Sequence, residues 1–187
     1  MKEATIVIGS LIHRDPAVFG AFLNSLKGLA DNGWDIRYRF VGNESDREAV
    51  DLAERFARER KRATVDRMSL YPESVKERAL RIAEAKDRIA DYARDEFCDY
   101  LFLVDSDLSL HPDTLTYLVQ ADRDVVSAVV WTKRPADQRE MPQVWLDAQY
   151  TPYEWILEQS AADEETVKRT LEYHKRLREP GVYEAGG

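Results

Sequence analysis

The chain has 187 residues, 33% of them charged, with 35 acids against 27 bases and a formal net charge of −8. That balance excludes indiscriminate nucleic-acid binding, which depends on neutralising phosphates, while the length suffices for a domain with a real core. The single cysteine, Cys98, excludes a disulfide framework and a thiolate zinc cluster, suits a reducing cytoplasm, and reads as a small buried apolar residue.

Ala4 to Gly9 is a short β-rich run ending in glycine, which reads as a buried strand. It is too short for the apolar region of a signal peptide, and no apolar run approaches the ~20 residues of a membrane span. The expectation is a cytoplasmic protein with no transmembrane segment.

Asp15-Pro16 supplies an N-cap and a first-turn proline. Phe19, Phe22, Leu23, Leu26 and Leu29 follow at helical spacing, and Asp31-Asn32-Gly33 stops the helix. Ile36 to Val41 alternates as a second strand and runs into Gly42-Asn43-Glu44-Ser45-Asp46. A helix with Val50, Ala53, Phe56 and Ala57 on one face comes next, then a weaker strand, Ala63 to Met68. Pro72-Glu73-Ser74 opens a long helix reaching about Asp95. Val75, Ala79, Ile82, Ile89 and Ala93 form its apolar stripe. Lys86, four residues after Ile82 and three before Ile89, projects from that stripe; it either snorkels or reaches an anion at the sheet edge.

Leu101-Phe102-Leu103-Val104 reads as a buried fourth strand, and it ends in Asp105-Ser106-Asp107. His111-Pro112-Asp113 starts another helix with Leu115, Leu118 and Val119 inward. Asp124 to Trp131 reads as a fifth strand, and Gln143 to Leu146 as a short sixth. Thr151 to Arg178 reads as two amphipathic helices broken near Ser160 to Asp163, stopped by Pro180-Gly181. Strands alternating with helices give an α/β, Rossmann-like fold, a mostly parallel central sheet with helices on both faces. We expect a core over residues 1–150 and a helical segment of the same domain over 151–187.

The acid pair carries the chemistry. Two carboxylates at the carboxyl end of a strand lie where open α/β sheets bind ligands. Hard cations such as Mn²⁺ or Mg²⁺ take one or two carboxylates plus substrate phosphates. Asp and Ser are also ordinary turn residues, so a solvated turn is the competing reading. No Gly-x-Gly-x-x-Gly turn or Walker A sequence is present, so any bound phosphate must be neutralised by a metal and side chains.

In this order the elements from Thr5 to about Leu146 resemble GT-A fold glycosyltransferases of the family 2 type, nucleotide-diphospho-sugar transferases. The likeness rests on Ile6-Val-Ile-Gly-Ser-Leu-Ile-His-Arg-Asp-Pro, on Val41-Gly-Asn-Glu-Ser-Asp46, and on the Asp-x-Asp motif at Asp105-Ser-Asp107. The resemblance implies a metal-dependent transfer of sugar from a nucleotide-diphosphate sugar, UDP-sugar by default, to an unidentified acceptor. It implies that Asp107 binds Mn²⁺ or Mg²⁺ directly, with Asp105 at the ribose or at the metal through water. Donor contacts are then expected from Ser10, Leu11, His13, Asn43, Asp46, Lys86, Asp105 and Ser106, with Asn43 and Asp46 at the base and ribose and Lys86 at the diphosphate. His13 also reads as an exposed loop histidine and Arg14 as a surface cation. His111 reads as the flank of a helix start and His174 as a surface residue. Trp131, Lys133 and Arg134 stand where sugar stacking and phosphate contacts would fit.

Members of that family run beyond this length and use the additional part for acceptor contacts and, in inverting members, a general base. No residue of this chain is identified as that base. The expectation is therefore a transferase whose acceptor side is a fragment or is supplied by another chain, a second copy included. A non-catalytic nucleotide-sugar-binding module acting with a partner is the alternative.

Overall fold

The computed structural model describes residues 4–60, 62–72, 74–132, 141–142 and 164–179. Backbone contacts divide the chain into two compact units, Met1–Tyr117 and Leu118–Gly187.

The first unit is built on strands β1 (Thr5–Leu11), β2 (Asp35–Asn43), β3 (Ala63–Met68) and β4 (Tyr100–Leu103). They form one sheet in the order β3-β2-β1-β4, and every pairing is parallel. The connecting helices are α1 (Pro16–Lys27), α2 (Arg47–Glu59) and α3 (Val75–Asp95), and α4 (Thr114–Gln120) follows β4. The fold is therefore α/β and Rossmann-like.

The caps fall where the sequence places them. Asp15 accepts hydrogen bonds from the backbone N–H groups of Ala17 and Val18, with Pro16 in the first turn of α1. Ser74 accepts from the Glu77 N–H and starts α3. The turn after α1 places Asn32 and Gly33 at φ of 46° and 78°, a backbone that Asn and Gly adopt at little cost.

Side-chain alternation sends alternate residues of each strand to opposite faces. On one face Tyr38 and Phe40 of β2 meet Phe19 of α1 and Phe56 of α2 in an edge-to-face aromatic cluster. On the other, Val41, Met68 and Leu70 pack with Ala85 and Ile89 of α3. Gly9 lets α3 come close to β1. A Cβ there would lie 2.1 Å from Ile89 Cγ2. Parallel connections are right-handed, so β1–α1–β2–α2–β3 steps the sheet one way, and α3 on the opposite face carries the chain back to lay β4 on the far side of β1. The strand order reverses between β1 and β4.

Several expectations change. β4 is not a fully buried strand: among the described residues it is the edge of the sheet, with Leu101 37% and Leu103 47% exposed, and a strand with one neighbour keeps only part of its surface covered. The stripe of α3 is shorter and rotated. Ala85, Ile89 and Ala93 are buried, whereas Val75 is 77% exposed; burial begins only where the helix meets the sheet. Lys86 is consequently exposed, beside the stripe rather than within it.

In the second unit the expected fifth strand over Asp124–Trp131 does not form. Only Trp131–Thr132 (β5) is a strand, paired antiparallel with Met141–Pro142 (β6), and Val125 is 89% exposed. β-branched residues favour a pleated, half-buried surface rather than an isolated extended chain, and residues 124–130 have no ladder partner among the described residues. The helix Glu164–Leu177 (α5) matches the second of the two expected helices, and Arg178 stacks over the Trp131 ring at 3.9 Å. The expected strand Gln143–Leu146, the first helix from Thr151, Lys133, Arg134 and the stop at Pro180-Gly181 lie outside the described residues. Among the described residues no helix is long and apolar enough to cross a membrane.

Candidate functional site

The carboxyl ends of β1 and β4 diverge from the point where strand order reverses. In open parallel sheets such a switch point is where ligands bind. A crevice of ≈ 130 Å³ lies there, lined by Gly9, Ser10, Leu11, Lys86, Ile89, Leu103, Val104 and Asp105. Lys86 comes from α3 and Asp105 from the turn after β4. The close approach of α3 at Gly9 brings the two to one opening. Lys86, Asp105 and Asp107 are all exposed, and Lys86 makes no ion pair among the described residues.

Hydroxyls fix the rim of this crevice. Ser10 Oγ donates to the Val104 carbonyl at 2.7 Å, the Val104 N–H donates to the Gly9 carbonyl at 3.0 Å, and Ser106 Oγ donates to the Leu11 carbonyl. Ser10 and Ser106 are both buried. They were expected among the donor-contacting residues. Their hydroxyl protons instead serve backbone carbonyls, so both act here by holding the ends of β1 and β4 together. Ser106 also serves as a pivot, because its buried side chain leaves Asp105 and Asp107 on either side in solvent.

A second and larger cleft opens beyond the end of β2. It measures ≈ 670 Å³ and is lined by His13, Arg14, Asn43, Glu44, Ser45, Asp46, Ser69, Tyr71 and Arg78. Pockets that hold small molecules and cofactors usually span about 300–1,000 Å³, so this cleft has room for a substantial group and the crevice alone does not. Leu11 of the crevice ends β1 and His13 of the cleft stands two residues on, and the two openings share the carboxyl edge of the sheet.

Asn43 is buried. Its Oδ1 accepts from the Leu70 N–H at 2.9 Å and its Nδ2 donates to Ser45 Oγ, so its amide is used in pinning the chain after β3 to the end of β2. Asp46 is different. It stands at the N-cap of α2 without a side-chain capping bond. Its Oδ1 accepts from Ser45 Oγ at 3.2 Å, and its Oδ2 is buried with no partner among the described residues. A buried carboxylate oxygen without a donor is costly, and a ligand hydroxyl or N–H would remove that cost. His13 accepts the Asp15 N–H on Nδ1 at 3.1 Å, which leaves Nε2 as the nitrogen that can donate. Tyr71 has its phenol pKa raised, chiefly by burial and also by Asp46, with Arg14 and Arg78 acting in the opposite direction.

The sequence grouped Ser10, Leu11 and His13 at the base, with Asn43 and Asp46 at the base and ribose and Lys86 at the diphosphate. The structure divides them otherwise: Ser10 and Leu11 line the crevice with Lys86 and Asp105, and His13 lines the cleft with Asn43 and Asp46. Sequence reasoning missed Ser69, Tyr71 and Arg78, and it treated Arg14 as a surface cation. Tyr71 and Arg78 follow β3 in chain order. A loop leaving a third strand at the same sheet edge was the available signal. His111 takes its own place at the start of α4, accepting the Asp113 N–H on Nδ1 at 3.2 Å.

Among the described residues no group of three or more His, Cys, Asp or Glu could by itself hold an ion. Two exposed carboxylates flanking a buried serine suit a hard cation that keeps waters and takes its remaining ligands from phosphates. Comparison with protein-family models, with curated sequences and with solved structures gave no match.

Proposed function

We propose that the chain binds a nucleotide-diphosphate sugar across these two openings and transfers its sugar, as a metal-dependent glycosyltransferase. The observation that carries this reading is that Lys86 and Asp105 both line the crevice at the switch point. A cation from one helix and an acid from the adjacent strand end, with Asp107 two residues on, can hold the sugar-side phosphate of the diphosphate between an ammonium and a metal-bearing pair.

In this reading Asp107 and Asp105 would hold Mn²⁺ or Mg²⁺, which when bound supplies Lewis-acid neutralisation of the diphosphate. Lys86 offsets the negative charge that builds on the leaving diphosphate as the bond from the sugar anomeric carbon to the phosphate oxygen breaks. The new bond forms from that carbon to an acceptor hydroxyl, whose proton passes to a base that is not among the residues assigned here. Fixed charges of this kind need no reorganisation during reaction and commonly make the largest contribution to catalysis. Ser10 and Ser106 hold the crevice rim in place, so the two acids start from a preorganised position. The nucleoside half extends to the larger cleft, where Asp46 accepts from the base or ribose and His13 and the buried Asn43 shape the wall.

Titration calorimetry with UDP-sugars and GDP-sugars, with and without Mn²⁺, tests the proposal. We expect metal-dependent binding that is lost in Asp107→Ala and on chelation. Binding of none of these donors sinks the reading. Tight binding with neither hydrolysis nor transfer assigns the chain instead to donor-binding modules that work with a partner.

A further inference from the structure

The larger cleft carries two cations that the diphosphate crevice does not use. Arg14, in the loop after β1, and Arg78, in the first turn of α3, are both exposed and line the cleft. Neither makes an ion pair among the described residues. Elsewhere in the same unit Arg37, Arg39, Arg67 and Arg88 are each paired with a carboxylate, so the surface offers its arginines acids readily. Arg14 and Arg78 have no such partner among the described residues, although Glu44 and Asp46 line the same cleft. Both line the one cleft together with Tyr71, and both oppose the rise in that phenol's pKa. Their donors are joined by the exposed Ser69 and by His13 Nε2. Against them stands the buried and unpartnered Asp46 Oδ2.

This is a lining of several free donors around one acceptor that lacks its proton donor. A bare oxyanion answers the first requirement and repels Asp46. A neutral polyol answers Asp46 and leaves two guanidiniums unused. A phosphate ester whose alcohol part carries a free hydroxyl answers both, since Arg pairs well with phosphate oxygens and the hydroxyl can donate to the carboxylate.

We propose that the cleft beyond β2 is a metal-independent anchor for a phosphate ester, in which Arg14 and Arg78 grip the phosphate and Asp46 accepts from a hydroxyl of the esterified alcohol. The proposal deepens the donor reading and rests on it for taking that alcohol to be a nucleoside. The phosphate next to the nucleoside is then held by side chains, and the Asp105–Asp107 pair serves the phosphate next to the sugar.

The test is titration calorimetry on the full chain in EDTA with three probes: uridine monophosphate, ribose 5-phosphate and inorganic phosphate. Uridine monophosphate should bind in the chelator, and inorganic phosphate about tenfold or more weakly, because it lacks the alcohol hydroxyl. Arg14→Ala and Arg78→Ala should each weaken the nucleotide by about tenfold or more, Asp46→Ala should bring the nucleotide close to inorganic phosphate, and Lys86→Ala and Asp107→Ala should leave it unchanged. Ribose 5-phosphate binding as well as the nucleotide would keep the anchor and make a free sugar phosphate its ligand. The proposal is overturned by absence of nucleotide binding at millimolar concentration in EDTA, by unchanged affinity in both arginine variants, or by an equal loss in Lys86→Ala. Urea midpoints of the variants check that they fold. The outcome is separable from that of the donor reading, which depends on Mn²⁺ and Asp107, since either can fail while the other holds.

Discussion

Ser10 and Ser106 clasp the two strands that frame the crevice, each donating its hydroxyl to a carbonyl on the other's segment, Ser10 to Val104 and Ser106 to Leu11. The paired residues are 94 and 95 positions apart in the chain, so the clasp ties the end of β1 to the turn that carries both acids.

Removing the Ser10 hydroxyl takes the donor from the Val104 carbonyl, and removing that of Ser106 leaves the Leu11 carbonyl with only the longer contact from Ser10 Oγ at 3.3 Å. We expect Ser10→Ala and Ser106→Ala each to destabilise by roughly 1–3 kcal/mol, read as a lower urea midpoint at unchanged slope. The two sites share one structure, so the double variant should depart from additivity. Ser106→Ala should also weaken nucleotide-sugar binding in Mn²⁺ more than Ser10→Ala does, because Ser106 lies between the two acids.

Gly9 and Gly42 separate two kinds of close packing. A Cβ at Gly9 would lie 2.1 Å from Ile89 Cγ2, whereas one at Gly42 would meet the side-chain tips of Val50 and Ile12 at 2.7 and 2.9 Å. Gly9→Ala must move α3 or β1 and should cost about 1–3 kcal/mol, while Gly42→Ala should cost less. Gly9→Ala should also impair donor binding, since α3 carries Lys86 to the crevice. Equal stability of the two variants would contradict this packing.

Asp105 and Asp107 are exposed, and neither donates to nor accepts a hydrogen bond that holds the fold together among the described residues. Asp107→Ala should therefore change stability by no more than about 0.5 kcal/mol. On the proposed function it should reduce transfer by on the order of 10²-fold, as chelation does. A large loss of stability would show that the acids serve the turn rather than a ligand.

Asn43 and Asp46 make the opposite pair. Asn43→Ala leaves the Leu70 N–H without its acceptor and should cost about 1–3 kcal/mol. Asp46→Ala should cost less than an ordinary N-cap loss, because its side chain makes no capping bond, and should chiefly reduce ligand affinity. Denaturation and calorimetry on the same samples distinguish the two roles.

Burial raises the Cys98 thiol above its usual pKa, with Asp99 adding to the effect and backbone hydrogen bonding and Arg37 opposing it. The unfolded chain thus ionises this thiol at lower pH than the folded one. Above the ordinary thiol pKa the unfolded state binds fewer protons, so the contribution of Cys98 to stability falls as pH rises. At mildly alkaline pH, iodoacetamide should alkylate Cys98 more slowly in the native protein than in urea. Equal rates would contradict its placement.

Much of the first unit was legible because its cues are local. Asp15-Pro16 and Ser74 set helix starts by capping, the Phe19–Leu26 spacing set a buried face, and β3 falls on Ala63–Met68. Of the site, the residues at strand ends were legible, since ends of consecutive strands share one edge of a parallel sheet. The uses of Ser10, Ser106 and Asn43 were not. A hydroxyl or amide beside a ligand edge reads the same whether it serves the ligand or a backbone carbonyl, and only the neighbour across the sheet decides. Asp124–Trp131 was misread for a related reason, because β-branched residues describe a segment able to pair and not whether a partner lies beside it.

The alternation of strands and helices, their caps and turns, and the position of two acids just past an apolar strand can all be read along the chain. These follow from interactions between residues a few positions apart. Folding in three dimensions adds that β4 lies beside β1, that α3 comes close enough at Gly9 for Lys86 and Asp105 to line one crevice, and that Arg14, Asp46, Tyr71 and Arg78 line one cleft. Strand order and helix-to-sheet distance are set by how the whole core packs. A site built from several chain segments exists only once that packing is complete.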